Sequence, residues 1–153
     1  MRVVLQRVSE GSVSIGGTLH ASIGKGYVIL LGVRKGDTEE DARFLAAKCA
    51  GMRVMEDDHG KMNRDLKEAS GSVLVVSQFT LYGDARRGNR PGFSEAATPE
   101  EAERLYETFV GAMRMALGAE RVHTGVFGAM MEVLIRNDGP VTILLEHPIR
   151  SSP

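Results

Sequence analysis

The sequence is short of cysteine, of long apolar runs and of any excess charge, and each shortage closes off a class of function. A single cysteine, Cys49, among 153 residues leaves no pair for an intramolecular disulfide and suits a reducing compartment. Its place on the apolar side of a predicted helix makes it a core filler rather than a nucleophile. No apolar run approaches the ~18 residues of a membrane span. The segment Met1-Arg-Val-Val-Leu-Gln-Arg7 lacks the apolar centre of a secretion signal and reads as a strand. The expectation is a cytoplasmic chain with no membrane partner. Lys and Arg number 19 against 20 Asp and Glu, a formal net charge of −1. No global field draws nucleic acid, so contact with RNA must come from a local patch, and no DNA partner is expected.

Metal and nucleotide signatures are missing as well. His20, His59, His123 and His147 show no ligand spacing, and neither CxxC nor HxxxH occurs. Asp57-Asp58 lacks the rest of an EF-hand loop. Gly16-Gly17 and Gly24-Lys25-Gly26 lack the P-loop form. No metal and no cofactor is expected.

What remains is a chain of one-domain length with many glycines, 18 in all, hence many tight turns. A chain this long buries roughly 68–70% of its unfolded surface. The reading is a single domain over residues 1–153, with a peripheral tail at 147–153. Val3 to Val8 is apolar and β-branched, with Gln6 and Arg7 interleaved, and predicts a strand. Ser12 to Ile15 alternates, and Gly16-Gly17 turns it into Thr18 to Ile23. Tyr27 to Val33 is a continuous apolar run, as for a strand covered on both faces. Thr38 is a helix N-cap followed by Glu39, Glu40 and Asp41, which suit the positive end of the dipole. Ala42, Leu45, Ala46 and Cys49 form one stripe, and Gly51 is the stop.

Arg53 to Glu56 predicts a short strand, and Val73 to Val76 a strand leading into Ser77-Gln78-Phe79-Thr80-Leu81. Residues 83 to 94 read as a loop rich in Gly and Arg. A second helix opens at Thr98-Pro99-Glu100-Glu101. Its apolar face is Ala102, Leu105, Phe109, Ala112, Met113 and Ala116, and Gly118 ends it. Met131 to Ile135 and Val141 to Leu145 predict two strands, with Asn137-Asp138-Gly139-Pro140 between them. Roughly eight strands and two helices imply an α+β fold with a curled, barrel-like or sandwich-like, mainly antiparallel sheet.

Three segments carry candidate chemistry. Ser77 to Thr80 lies where a strand leaves the core, where backbone N–H groups released by the sheet can stabilise an oxyanion. The Ser77 and Thr80 hydroxyls are candidate nucleophiles but have no base within the segment. The alternative is a polar strand end with Phe79 and Leu81 in the core. Gly139-Pro140 is either a hairpin corner or a rigid backbone device, possible as a cis bond. Arg86, Arg87 and Arg90 form the one concentrated basic patch, suited to phosphates or simply a solvated loop.

Taken in order, Met1-Arg-Val-Val-Leu-Gln-Arg-Val8, Gly60-Lys-Met-Asn63, Ser77-Gln-Phe-Thr-Leu81, Gly88-Asn-Arg-Pro91, Phe127-Gly-Ala-Met130 and Asn137-Asp-Gly-Pro-Val-Thr142 resemble the D-aminoacyl-tRNA deacylases of the bacterial and eukaryotic type. The resemblance implies hydrolysis of the ester joining a D-amino acid to the 3′ terminal adenosine of tRNA, with activity on glycyl-tRNA. It implies a homodimer with two sites at the interface and a cis Gly-Pro inserted into the partner's pocket. By that resemblance Gly139 and Pro140 form the chirality filter and Arg7 braces it, as in the strictly D-selective type. Ser77, Gln78, Phe79 and Thr80 form the catalytic pocket, and Phe127 and Met131 lie near the adenine. The partner is the aminoacyl-tRNA 3′ end, and the 2′-hydroxyl of the tRNA assists attack by water. A non-catalytic RNA-binding module using Arg86, Arg87 and Arg90, and a hydrolase of another acyl substrate, are the competing readings.

Overall fold

One long strand, β1 (Arg2–Ile15), organises the sheet in the computed structural model, which describes residues 1–149. Residues 150–153 of the expected tail lie outside the described residues. Strand β1 pairs antiparallel with β3 (Gly26–Gly32) through its first half and with β2 (Thr18–Ile23) through its second. On its other edge it pairs antiparallel with β8 (Glu132–Glu146) along almost its whole length. Parallel pairing then extends the sheet from β3 to β6 (Ser72–Ser77) and on to β7 (Val122–Thr124). A small separate pair joins β4 (Met55–Glu56) and β5 (Met62–Arg64). The result is a nearly closed, barrel-like mixed sheet in an α+β fold.

The parallel pairs follow from the helices. Parallel neighbours need a long crossover, and α1 (Glu39–Ala50) and α2 (Pro99–Leu117) lie in the two crossovers. Thr38 caps α1 as its sequence predicts: its Oγ1 accepts from the Asp41 N–H at 3.3 Å, and Asp41 Oδ2 accepts from the Thr38 N–H at 2.8 Å. Thr98 caps α2 through its hydroxyl alone, which accepts from the Glu101 N–H at 3.4 Å, with Pro99 as the first helical residue.

Two apolar clusters share the sheet. Leu45, Ala46 and Cys49 of α1 and Leu105, Phe109 and Met113 of α2 pack on Val3, Leu5, Ile29, Leu31, Val73 and Val75. Val8, Val13, Ile23, Val28, Leu74 and Val76 fill the other side. A register shift between Val8 and Glu10 decides which of them the second half of β1 fills. Before it, Val3 and Leu5 face the helices. Val8 points to the opposite face by plain alternation, and one extra residue, Ser9, then reverses the alternation so that Val13 joins it there.

Several expected elements differ. The predicted strands Val3–Val8 and Ser12–Ile15 are one strand, because the bulge bends the ladder without ending it. The two strands expected on either side of Asn137–Pro140 are likewise one, β8, so this segment is not a hairpin corner. Both halves of β8 pair with the same strand, β1. The expected tail is attached at its start: the His147 N–H donates to the Met1 carbonyl at 3.0 Å, and its ring stacks on Phe44 at 4.0 Å.

The turn before β3 fixes a prediction. Gly26 has φ +157°, and a Cβ there would stand 1.7 Å from the Ser72 carbonyl oxygen, whereas Gly17 has φ +79° with open space around it. Gly26→Ala is expected to destabilise the protein by at least ~3 kcal/mol and Gly17→Ala by only ~1–2 kcal/mol, read from urea unfolding midpoints.

Candidate functional site

A cleft of about 730 Å³ opens where β6 ends. Its floor and walls bring together Ser77, Gln78, Phe79 and Thr80 with Phe127 and Met131, all six drawn from the residues singled out in the sequence. The walls are mostly apolar, with Phe93, Pro99 and Tyr106 added.

The backbone explains why the cleft forms here. The Gln78 N–H still donates to the Leu31 carbonyl at 2.8 Å, the last bond of the sheet on this strand. The chain then tightens into a short 3-10 turn, Phe79–Tyr82, closed by Leu81 N–H to the Gln78 carbonyl at 3.3 Å and Gly83 N–H to the Thr80 carbonyl at 3.0 Å. The first N–H groups of such a turn have no partner within it. Those of Phe79 and Thr80 have none among the described residues. Two successive donors are therefore left beside an apolar cleft.

Side chains of this turn do not sit as a buried strand end would. Phe79 is 58% exposed, and the buried residue is Tyr82. Phe79 meets Phe93 edge to face with ring centroids 5.1 Å apart. The Thr80 hydroxyl accepts from Gln78 Nε2 at 2.5 Å, and no histidine or carboxylate contacts it among the described residues. Among the described residues it has no base to activate it. From the other side, Arg2 Nη1 donates to the Leu81 carbonyl at 2.6 Å, and its guanidinium lies 4.8 Å from the centroid of the Tyr82 ring.

Tyr106 and Phe93 were not singled out in the sequence. Tyr106 follows Ala102 by four residues on α2, and this helical spacing was the available signal. Its hydroxyl donates to the Val75 carbonyl at 2.9 Å, and burial pushes its pKa well up. Phe93 lies in an Arg-rich loop with no periodicity to mark it. Cys49 is fully buried, and desolvation pushes its thiol up to about 12, consistent with a filler.

Gly139, Pro140 and Arg7 gather elsewhere. In the pairing of β1 with β8, Gln6 faces Thr142 and Val8 faces Asn137, so residues 138–141 bulge out opposite Arg7 alone. Asn137 closes the neck: its Nδ2 donates to the Arg7 carbonyl at 2.9 Å and the Val141 carbonyl at 3.1 Å. Thr142 Oγ1 donates to Asn137 Oδ1 at 3.4 Å. The Arg7 side chain is 4% exposed as a residue and donates to the Asp138 carbonyl at 3.1 Å and the Val54 carbonyl at 2.9 Å, with Glu56 Oε1 at 3.4 Å. The Gly139-Pro140 bond is cis. Gly139 has φ +123°, and a Cβ there would come within 3.0 Å of Arg7 Nη2. Both residues of the dipeptide are exposed, and neither lines the cleft of its own chain.

Arg86, Arg87 and Arg90 sit on a loop closed by mutual backbone bonds between Asp84 and Gly92, at 2.7 and 2.9 Å. Arg86 is committed to Asp84 through two bonds, at 3.0 and 2.8 Å. Arg87 and Arg90 are exposed and make no ion pair among the described residues. None of the three lines the cleft.

A family profile described as D-Tyr-tRNA(Tyr) deacylase matches residues 4–146. A D-aminoacyl-tRNA deacylase of Chlorobaculum tepidum is 56% identical over 148 residues, covering 97% of this chain and 98% of that protein. One of Symbiobacterium thermophilum is 58% identical over 146 residues, 95% of each. Among solved structures, the c-Myc DNA Unwinding Element Binding Protein superposes with a TM-score of 0.93 at 40% identity, covering 97% of this chain and 100% of that one.

The Arg loop generates a pH prediction. The Arg86 guanidinium bonded to Asp84 lowers its carboxyl from 3.8 to about 2. A folded value below the unfolded one means the contact contributes fully above the ordinary carboxylate range and is lost as pH falls through about 2. A carbon-detected NMR titration is expected to show this low value for Asp84, and Arg86→Gln to return it toward 3.8.

Proposed function

The chain belongs to the D-Tyr-tRNA(Tyr) deacylase family and is a D-aminoacyl-tRNA deacylase, an ester hydrolase; from that premise we propose how its residues perform the reaction. The ester of the tRNA 3′ terminal adenosine sits in the cleft beyond β6. Its carbonyl oxygen receives the N–H groups of Phe79 and Thr80. Water adds to the carbonyl carbon, and the developing negative charge falls on the oxygen these donors face. The bond to the ribose 3′-oxygen then breaks. That oxygen takes a proton, and the amino acid leaves as its carboxylate.

The observation that carries this reading is the pair of N–H groups, unpartnered among the described residues, beside an apolar cleft where no histidine or carboxylate of the described residues contacts the Ser77 or Thr80 hydroxyl. In low-dielectric surroundings such donors act strongly without reorganising. With no histidine or carboxylate lining the cleft among the described residues, the role passes to the substrate's own 2′-hydroxyl. Phe127 and Met131 in the cleft lining supply apolar surface for the adenine ring. Ser77 and Gln78 complete the pocket, with Gln78 orienting the Thr80 hydroxyl.

Chiral selection falls to Gly139-Pro140. The dipeptide is exposed and absent from its own cleft, so it acts on substrate in a second copy, and the working unit is a homodimer with sites at the interface. Arg7 and Asn137 hold the bulge from both sides, which suits a rigid gate. Carbonyl oxygens aimed at the α-carbon accept a hydrogen there and reject a side chain, so L-esters are excluded by collision. Glycine has no side chain to collide, and glycyl-tRNA is cleaved as well. Arg87 and Arg90 meet tRNA phosphates, while Arg86 shapes their loop through Asp84. Residues 1–153 act as one deacylase domain in the cytoplasm, where charged tRNA is found.

Two measurements test this. Purified protein is expected to release tyrosine from D-Tyr-tRNA and leave L-Tyr-tRNA intact; cleavage of neither overturns the reading, and equal cleavage of both overturns the filter. Thr80→Val keeps the backbone donor and is expected to retain turnover within about tenfold, whereas a loss of ~10³-fold would assign the hydroxyl a covalent role.

A further inference from the structure

A second cavity, of about 490 Å³, lies behind the wall of the first. The wall is one segment of chain. Phe93, Ala96 and Ala97 face the cleft, while Ser94 and Glu95 face the second cavity. The segment is docked against the irregular chain just after β3: Lys35 N–H donates to the Glu95 carbonyl at 3.0 Å and Ala97 N–H to the Val33 carbonyl at 3.0 Å. The two cavities are thus neighbours across a fixed partition.

The second cavity has a different chemistry. Its charged lining consists of three guanidinium–carboxylate pairs: Arg2 with Glu146, Arg34 with Glu95, and Arg86 with Asp84. The sum of charge is zero. A phosphate here would face three carboxylates, so the cavity does not suit an anion. It suits a neutral ligand with donors and acceptors side by side. Tyr82 lines the same wall, and its hydroxyl, shut away from water, has no partner among the described residues.

Resting on the reading that the terminal adenosine occupies the cleft, we propose that this second cavity takes the base of the preceding nucleotide, the penultimate cytidine of the CCA end common to all tRNAs. The Watson–Crick edge of cytosine runs donor, acceptor, acceptor. The Arg34–Glu95 pair presents the complement: the Glu95 carboxylate accepts from the N4 amine, and the Arg34 guanidinium donates to N3 and O2. Uracil, with a carbonyl and an N–H in place of the amine and N3, sets acceptor against carboxylate and donor against guanidinium. The cavity volume accommodates a nucleoside. The cavity thereby reads a sequence shared by every substrate, whichever amino acid is attached.

Calorimetric titration of the full chain with pA, pCpA and pUpA at one fixed salt concentration tests the assignment, since pCpA and pUpA carry equal phosphate charge. The expected result is binding of pA, with pCpA roughly tenfold or more tighter than pUpA. Glu95→Ala and Arg34→Ala are expected each to erase that preference while leaving pA affinity unchanged. Equal affinity for pCpA and pUpA with pA bound overturns this inference alone. Failure of pA to bind overturns the reading of the cleft, and this inference with it. Should either variant fail to fold, the comparison of pCpA with pUpA on the unaltered protein still decides.

Discussion

The pairing of β1 with β8 is the constraint on which the molecule turns. It is the longest ladder in the sheet, and it accommodates two departures from regularity. The extra residue at Ser9 turns Val13, in the second half of the strand, toward the same apolar cluster as Val8. The bulge at residues 138–141 lifts a glycine and a proline out of the ladder. Such a bulge would be loose if its neck were held by backbone bonds alone. Asn137 bonds across the neck, and Arg7 occupies the gap it leaves in β1. A buried guanidinium in a sheet costs desolvation. Here that cost is offset by bonds to two carbonyls and a carboxylate, and the same bonds fix the bulge.

The cleft follows a different logic. Its walls are apolar and its polarity comes from the main chain. The sheet withdraws its last bond at Gln78, and the short turn after it leaves two N–H groups unused. Packing of Phe79 on Phe93, and the reach of Arg2 to the Leu81 carbonyl, hold the turn from opposite sides. Order at the site therefore comes from long-range contacts, while the proposed chemistry comes from local backbone geometry.

Much of this was legible in the sequence. Both helices and their caps could be read because Thr38 and Thr98 are each followed by acids at the right spacing and by an apolar stripe. The strands of continuous apolar character were equally plain. Pairing direction was not, because hydropathy reports burial and carries no record of which strand lies alongside. Strand β7 is three residues long, too short for alternation to show. The unity of β8 was hidden by Gly139-Pro140, which locally imitates a turn, and only the ladder to β1 shows otherwise. Among site residues, the Ser77–Thr80 segment could be located from the end of an apolar run. Phe93 and the Arg34–Glu95 pair could not, since their meaning depends on a loop folding back onto residues 33–35, just past β3.

Main-chain donors at residues 79 and 80 have an evolutionary corollary. Under the proposed mechanism, no exchange of one ordinary side chain for another deletes the reacting N–H at position 80, so this part of the site can drift in composition and still work. Proline is the exception, since it carries no amide hydrogen. Every threonine codon lies one nucleotide from a proline codon, so the site's narrowest vulnerability is a single base change at Thr80.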